Sequence, residues 1–125
     1  MSHDIVSDAL NMIMNIKKAG KKEVEIKRYS KLLLKVLDIA KKAKYLDYKL
    51  DEKNKILHIK ILELTKCHSI KPRFHFKTDE LEKYIRRYLP ARNFGMLIVS
   101  TSKGLMTHEE VGKANLGGSL IACFY

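Results

Sequence analysis

The residues with the most evident binding chemistry are five in a row, Ser100-Thr101-Ser102-Lys103-Gly104. Three hydroxyls donate and accept hydrogen bonds and a lysine supplies positive charge, so the segment suits phosphate oxygens and sugar hydroxyls. Glycine at the end of the segment tolerates a positive φ and exposes its backbone N–H. The alternative is a polar connector that binds nothing.

Regular elements are predicted on both sides of this segment. The apolar residues 96–99 favour a strand. Thr107 is a predicted N-cap, with Glu110 closing a capping box, for a helix that ends near Asn115. A strand, a polar loop and a capped helix would hold the segment rigid at the surface. Residues 119–125 predict a last strand that pairs with residues 96–99.

The first half of the chain predicts a small sheet with two helices on one face. The helices are expected over residues 4–16 and from the N-cap Ser30 to about residue 44. Alternating apolar residues predict strands over 23–27, 45–50 and 56–62. The second helix has a predicted buried stripe of Leu33, Val36, Leu37 and Ala40.

The hydrophobic pattern breaks over residues 65–72, and we place a domain boundary there. Residues 73–77 predict an extended segment, and Thr78 or Asp79 is expected to cap a short helix after it. The predicted fold is α+β with two small associated α/β domains. These are an N-terminal α/β domain, 1–66, and a β-rich C-terminal domain with the serine-rich loop, 67–125.

Charge narrows the possible partners. The 125 residues include 25 Lys+Arg and 14 Asp+Glu, giving a formal net charge of +11. Residues 1–66 contribute +7 and residues 67–125 contribute +4, so the charge lies on folded surface rather than in a tail. A compact protein this basic is expected to bind polyanions, with nucleic acid favoured over acidic membranes. No stretch approaches the ~20 apolar residues of a membrane span.

A second basic cluster surrounds Tyr88. Arg86, Arg87 and Arg92 lie close to it in sequence, and basic groups beside aromatic rings are typical of RNA-binding surfaces. The alternative is a solvated helix end with the tyrosine packed inward.

Catalysis and metal binding are not expected. Residues 100–103 match S-x-x-K, but the S-D-N and K-T-G partners of that motif are absent. No Walker motif accompanies the glycine. His108 and Glu109 suggest a Ser-His-acid hydrolase, but a histidine in the first turn of a helix is expected at the surface. The protein is therefore predicted not to be an enzyme and to need no cofactor.

Cysteine and histidine positions lead to the same expectation. Cys67, His68 and His75 lack the paired spacing of a structural zinc site. Cys67 and Cys123, the latter expected to be buried in the last strand, are interpreted as free thiols of a reducing cytosol, with a single disulfide as the alternative. The N-terminal residues lack the pattern of a signal peptide, so we expect a cytoplasmic protein.

A family resemblance covers essentially the whole chain. Residues 99–125, VSTSKGLMTHEEVGKANLGGSLIACFY, closely resemble the C-terminal signature of the small-subunit ribosomal protein eight family. The spacing of Asp4, Asp8, Leu10, Ile13 and Asn15 is similar to the opening helix of that family. The segments IKPRF, 70–74, and RYLPARNFG, 87–95, resemble its archaeal and eukaryotic branch.

The resemblance implies a structural, primary RNA-binding protein of the small ribosomal subunit. It would bind an irregular helix in the central domain of ribosomal RNA, help assemble the platform, and contact neighbouring ribosomal proteins. The implied RNA-binding residues are those of the loop, Ser100, Thr101, Ser102, Lys103 and Gly104, together with Asp4, Asn15, Ser30 and Lys31. Bacterial members also repress their own messenger RNA, so a messenger-RNA regulator outside the ribosome is the alternative function.

Two positions depart from the family pattern. Ile5 stands where proline often follows the first aspartate, which changes how the first helix begins. Ser119 stands where bacterial members have a glutamate that contacts RNA. The RNA contact of that carboxylate is therefore not transferred to this chain.

Overall fold

The computed structural model describes residues 5–70, 75–90 and 94–125. Its helices are α1 Ile5–Lys18, α2 Lys31–Lys42, α3 Leu81–Tyr88 and α4 His108–Ala114, with a 3-10 turn at Thr78–Glu80. Its strands are β1 Glu23–Ile26, β2 Leu46–Asp51, β3 Ile56–Ile61, β4 Cys67–Ser69, β5 His75–Phe76, β6 Met96–Thr101, β7 Gly104–Thr107 and β8 Gly118–Phe124. Helices and antiparallel sheets are both present, so the α+β prediction is confirmed.

The internal contacts divide the chain into two compact units, Met1–Lys66 and Cys67–Tyr125. Each unit has its own antiparallel sheet. The RNA-binding roles predicted for these two regions stay predictions.

The N-terminal unit is a three-stranded sheet in the order β1-β3-β2 with two amphipathic helices. The predicted apolar stripe of α2 is buried. Ser30 is its N-cap, because the serine hydroxyl accepts a hydrogen bond from the N–H of Leu33 at 3.2 Å. The strand face away from the stripe carries opposed charges, with Lys60 paired in register to both Glu23 and Asp47.

The C-terminal unit contains a sheet in the order β4-β8-β6-β7, with β5 also pairing with β8. Leu97, Val99 and Leu120 of this sheet form one core cluster with Val111 of α4 and Ile85 of α3. The sheet face that carries these residues is therefore the helix-covered face. Side chains next to them in each strand point to the opposite face.

Three local expectations in this unit need correction. The break in the hydrophobic pattern, 65–72, contains the division between the two units, but it also contains strand β4, which pairs with β8. Neither Thr78 nor Asp79 caps α3, because a 3-10 turn precedes the helix and no side chain caps its first turn. Instead, the carboxylate of Glu80 accepts a hydrogen bond from the N–H of Lys77 at 3.1 Å.

The predicted strand–loop–helix unit is the third error. Strand β6 continues through Thr101, and β7 returns from Gly104 to Thr107 before α4 begins. The polar segment is therefore the tip of a β-hairpin rather than a strand-to-helix loop. The capping box at the start of α4 is confirmed: Thr107 Oγ1 accepts from the N–H of Glu110, whose carboxylate accepts from the N–H of Thr107.

The last strand is placed as predicted. β8 pairs antiparallel with β6, and Cys123 is fully buried in it. Within the three described stretches of the chain, no helix is both long and apolar enough to cross a membrane.

Candidate nucleic-acid interface

The β6–β7 hairpin has a pinned tip. Thr101 and Gly104 are paired across it, leaving Ser102 and Lys103 as the connecting residues. Thr101 Oγ1 donates to the carbonyl oxygen of Gly104 at 2.8 Å and accepts from the N–H of Lys103 at 3.1 Å. Gly104 has a φ of +108°, the left-handed region that glycine enters without steric cost. The Thr101 hydroxyl thus fixes the shape of the tip.

The tip presents a small, mixed set of groups. Ser102, Lys103 and Gly104 are exposed, whereas Ser100 and Thr101 are half-buried. A hydroxyl and an ammonium therefore project from a backbone held by hydrogen bonds. This is the rigid presentation that sequence reasoning predicted, although a hairpin supplies it.

Sequence reasoning missed a row of polar residues beside the hairpin. Ser100 is paired in register with Ser119 on β8, and Ser119 is paired with His75 on β5. The Ser119 hydroxyl lies 2.7 Å from His75 Nδ1. His75 is exposed and the two serines are half-buried. From the sequence, His75 is a candidate only for metal binding.

His108 is buried, so the prediction of a surface histidine was wrong. Only 4% of its surface is exposed. Its Nδ1 accepts a hydrogen bond from the N–H of Leu97 at 3.1 Å, one residue beyond the last β6–β7 pair, Ile98 with Thr107. The ring therefore replaces a backbone carbonyl where β7 ends. Burial lowers the pKa of His108, because the charged imidazolium would lose its hydration.

The predicted N-terminal contacts lie on two helices. Asn15 is exposed near the end of α1, and Lys31 is exposed at the start of α2. Ser30 already uses its hydroxyl as the cap of α2. Asp4 lies outside the described residues.

The basic cluster around Tyr88 includes the end of α3. Tyr88 is half-buried against the core cluster, as in the structural alternative. The guanidinium of Arg87 lies over its ring, 5.5 Å from the centroid, which is a cation–π contact. Arg86 is exposed, and Arg92 lies outside the described residues.

Both cysteines are buried free thiols, so the disulfide alternative does not hold. Burial raises the pKa of Cys67 to about 12. In the part of the chain that the structure describes, no cluster of three or more His, Cys, Asp or Glu side chains is placed to hold a metal ion.

Comparison with known proteins decides the family. The family model described as Ribosomal protein S8 matches residues 4–125. The chain belongs to the ribosomal protein S8 family. A relative in Nanoarchaeum equitans (strain Kin4-M), the small ribosomal subunit protein uS8, is 42% identical over 129 aligned residues that cover 100% of both chains. The family predicted from residues 99–125 is confirmed, and this archaeal relative agrees with the resemblance of residues 70–74 and 87–95 to the archaeal and eukaryotic branch.

Proposed function

We propose that this chain is a structural constituent of the small ribosomal subunit and a primary binder of its ribosomal RNA. It binds an irregular helix in the central domain and contributes to assembly of the subunit platform, with other small-subunit proteins as neighbours. It works in the cytoplasm and carries out no catalysis. Membership of the ribosomal protein S8 family supports the ribosomal role.

The observation that carries the RNA-binding proposal is the pinned hairpin tip. Side chains cannot enter the narrow major groove of A-form RNA, so recognition relies on backbone shape, ribose hydroxyls and unpaired bases. Ser102 and Lys103 are exposed on a turn that Thr101 and Gly104 hold in one conformation. A rigid, narrow projection of this kind fits an irregular groove with little loss of conformational freedom on binding.

The groups at the tip have separate tasks. Lys103 binds phosphate and supplies affinity that depends on salt. The hydroxyls of Ser100 and Ser102 form short-range hydrogen bonds to ribose or base edges. Thr101 and Gly104 mainly shape the turn, although the exposed glycine backbone lies at the contact surface.

Other basic and polar residues extend the contact with the RNA backbone. We assign this role to Lys31 and Asn15 in the N-terminal unit and to Arg86 and Arg87 on α3, all of which are exposed. Asp4 and Ser30 belong to the same proposal through the family resemblance, and Arg92 belongs to it through the basic cluster around Tyr88. These contacts set register and affinity rather than sequence preference.

The primary experiment compares two RNAs across a salt series. One is the central-domain helix with its irregular core, and the other is a regular duplex of equal length. We expect tight binding to the first at salt concentrations that dissociate the second. Equal binding with equal salt dependence would contradict shape-specific recognition.

Variants then test the tip. Ser102→Ala should weaken binding to the irregular helix by about 1 kcal/mol, the typical value of one hydrogen bond, without changing stability. Lys103→Ala should reduce the slope of log affinity against log salt by about one. Lys60→Ala is the matched control, because this exposed strand lysine is paired in register with Glu23 and Asp47. Unchanged binding in both tip variants would remove the hairpin from the interface.

Sedimentation separates the ribosomal role from a free messenger-RNA regulator. A structural constituent is expected to co-sediment with small subunits in equal numbers, also after a high-salt wash. A chain found mainly outside the particle and bound to its own messenger RNA would favour the regulator.

A further inference from the structure

A row of three polar residues crosses the C-terminal sheet on the face opposite the helices. Val99 lies in the helix-facing core, so its neighbour Ser100 points to the other face. Ser119 and His75 follow it across the sheet, because residues paired in register share a face. With strands ~4.8 Å apart, the row spans about 10 Å from Ser100 to His75.

Two glycines hold the middle of this row in place. A Cβ at Gly117 would lie 2.6 Å from the carbonyl oxygen of Phe76 on β5. A Cβ at Gly118 would lie 2.5 Å from the carbonyl oxygen of Ser100 on β6. The chain entering β8 is therefore seated closely between its two neighbours, and the next residue is Ser119. The row is thus a constrained arrangement rather than a chance grouping of surface residues.

The hydrogen-bonding capacity of the row points to a particular ligand. Ser119 Oγ lies 2.7 Å from His75 Nδ1 and 3.5 Å from Nε2, so the serine contacts one edge of the ring. If the serine donates to Nδ1, the Nε2–H remains as a donor and the hydroxyl oxygen remains as an acceptor. If Nδ1 donates instead, the serine O–H remains as a donor and Nε2 as an acceptor. With a neutral imidazole, the pair therefore offers both a donor and an acceptor in either tautomer.

This capacity matches a hydroxyl better than a phosphate. A phosphate oxygen accepts only, whereas a ribose 2′-hydroxyl both donates and accepts. The row also begins at Ser100, two residues from the exposed hairpin tip at Ser102. An RNA strand in contact with the tip would reach the row within a few nucleotides.

We propose that His75 and Ser119 together bind a ribose 2′-hydroxyl of the RNA contacted by the hairpin, and so help the protein distinguish RNA from DNA. This inference rests on the proposed function and adds a ligand group and two residues to it. The row contributes through hydrogen bonds, while Lys103 contributes through charge.

A protein–RNA double-mutant cycle tests the proposal. The probe is the irregular central-domain helix in its all-ribose form and in a series with single 2′-deoxy substitutions. For the wild-type protein, we expect deoxy substitution at one nucleotide near the row to weaken binding roughly threefold to tenfold, the value of one hydrogen bond. Ser119→Ala and His75→Val should bind the all-ribose RNA more weakly by a similar factor. Their binding should no longer respond to that one 2′-deoxy substitution. For Ser119→Ala the salt slope should not change, because that substitution removes no ionisable group.

A matched control uses another exposed strand histidine. His58 lies on β3, 3.4 Å from Glu25 Oε1, so His58→Val makes the same chemical change in the other sheet. This variant should keep the wild-type sensitivity to every deoxy substitution. Ser119→Ala removes one hydroxyl from a half-buried position and serves if His75→Val does not fold.

The outcomes separate this inference from the proposed function. Suppose that the wild-type protein prefers the irregular helix, but Ser119→Ala keeps the wild-type ratio of all-ribose to deoxy-substituted affinity at every position. The row then does not bind a 2′-hydroxyl, and the inference is overturned. If wild-type protein does not distinguish the irregular helix from the duplex, the proposed function itself fails.

Discussion

Replacing His108 tests whether a side chain completes the β6 hydrogen-bond ladder. His108 is buried, and its Nδ1 accepts from the N–H of Leu97 at 3.1 Å. Leucine has a similar size but cannot accept a hydrogen bond. His108→Leu would therefore leave a buried N–H without a partner and should lower the free energy of unfolding by about 1–3 kcal/mol. His108→Asn keeps an acceptor near the position of Nδ1 and should cost less.

The same residue gives a defined pH dependence. Burial lowers the pKa of His108 in the folded state below its ordinary value of 6.5. Above pH 6.5 the residue is neutral in both states and its stabilising contribution is complete. As the pH falls from 6.5 toward the lower pKa of the folded state, the unfolded chain binds a proton that the folded chain does not. Stability is lost there with a limiting slope of about 1.4 kcal/mol per pH unit.

Urea unfolding between pH 5 and pH 8 measures both effects, with hydrogen exchange at the Leu97 amide as a local readout. The difference in unfolding free energy between the wild-type protein and His108→Asn should fall as the pH drops below 6.5. The lowered pKa values of Asp47 and Asp51 act below their ordinary value of 3.8 and so lie outside this window. A difference in unfolding free energy that does not change with pH would refute the reasoning. Equal losses of unfolding free energy in His108→Leu and His108→Asn, with unchanged hydrogen exchange at the Leu97 amide, would also refute it.

Further predictions concern three glycines and one thiol. Gly118→Ala should destabilise the protein by about 1–3 kcal/mol in urea unfolding, because the new Cβ overlaps the carbonyl of Ser100. Gly112→Ala in α4 makes only ordinary van der Waals contact and should stabilise the protein by about 0.5–1 kcal/mol. If Gly112→Ala were the more destabilising variant, the close approach of β8 to β6 at Gly118 would not limit the side chain there. Gly104→Ala should lower the free energy of unfolding by about 1–2 kcal/mol through its φ of +108° alone, since no atom lies near the added carbon. An unchanged free energy of unfolding would mean that the tip adopts another turn. Cys67 should resist a thiol reagent at pH 8 until urea unfolds the protein, because burial raises its pKa to about 12; rapid labelling of folded protein would refute this.

Features determined by neighbouring residues could be predicted from the sequence. The N-cap Ser30 and the capping box from Thr107 to Glu110 depend on positions three residues apart. The buried stripe of α2 and the alternation of β3 follow the periods of a helix and a strand. In each case the signal lies within one element.

Features determined by pairing between distant segments could not be predicted in this way. Strand β7 has only four residues, and the sequence before Thr107 lacks the Asn-Gly or Asp-Gly signal of a tight hairpin. Strand β4 has three residues and exists because β8 supplies its partner. The meeting of His75 with Ser119 depends on sheet register across 44 residues.

The burial of His108 depends both on its position at the start of a helix and on strand pairing. The sequence correctly places it in the first turn of α4, where most side chains face solvent. The hairpin that the sequence did not reveal ends at Thr107, directly before this residue, and leaves the N–H of Leu97 without a strand partner. A polar residue became part of the core because an unpaired backbone group required an acceptor there. The missed hairpin and the misplaced histidine therefore have one cause.

The proposed function requires a protein with a net charge of +11 to distinguish one RNA from another. Lysines over both units attract any polyanion, and that attraction weakens with salt for every RNA alike. Discrimination must then come from groups whose contacts depend on position rather than on charge. In the proposal, Ser102 on its fixed turn and the Ser100–Ser119–His75 row meet this requirement, because both act through hydrogen bonds and both are held by backbone geometry. In the same proposal, the close glycine contacts before Ser119 support specificity, while the distributed lysines support affinity.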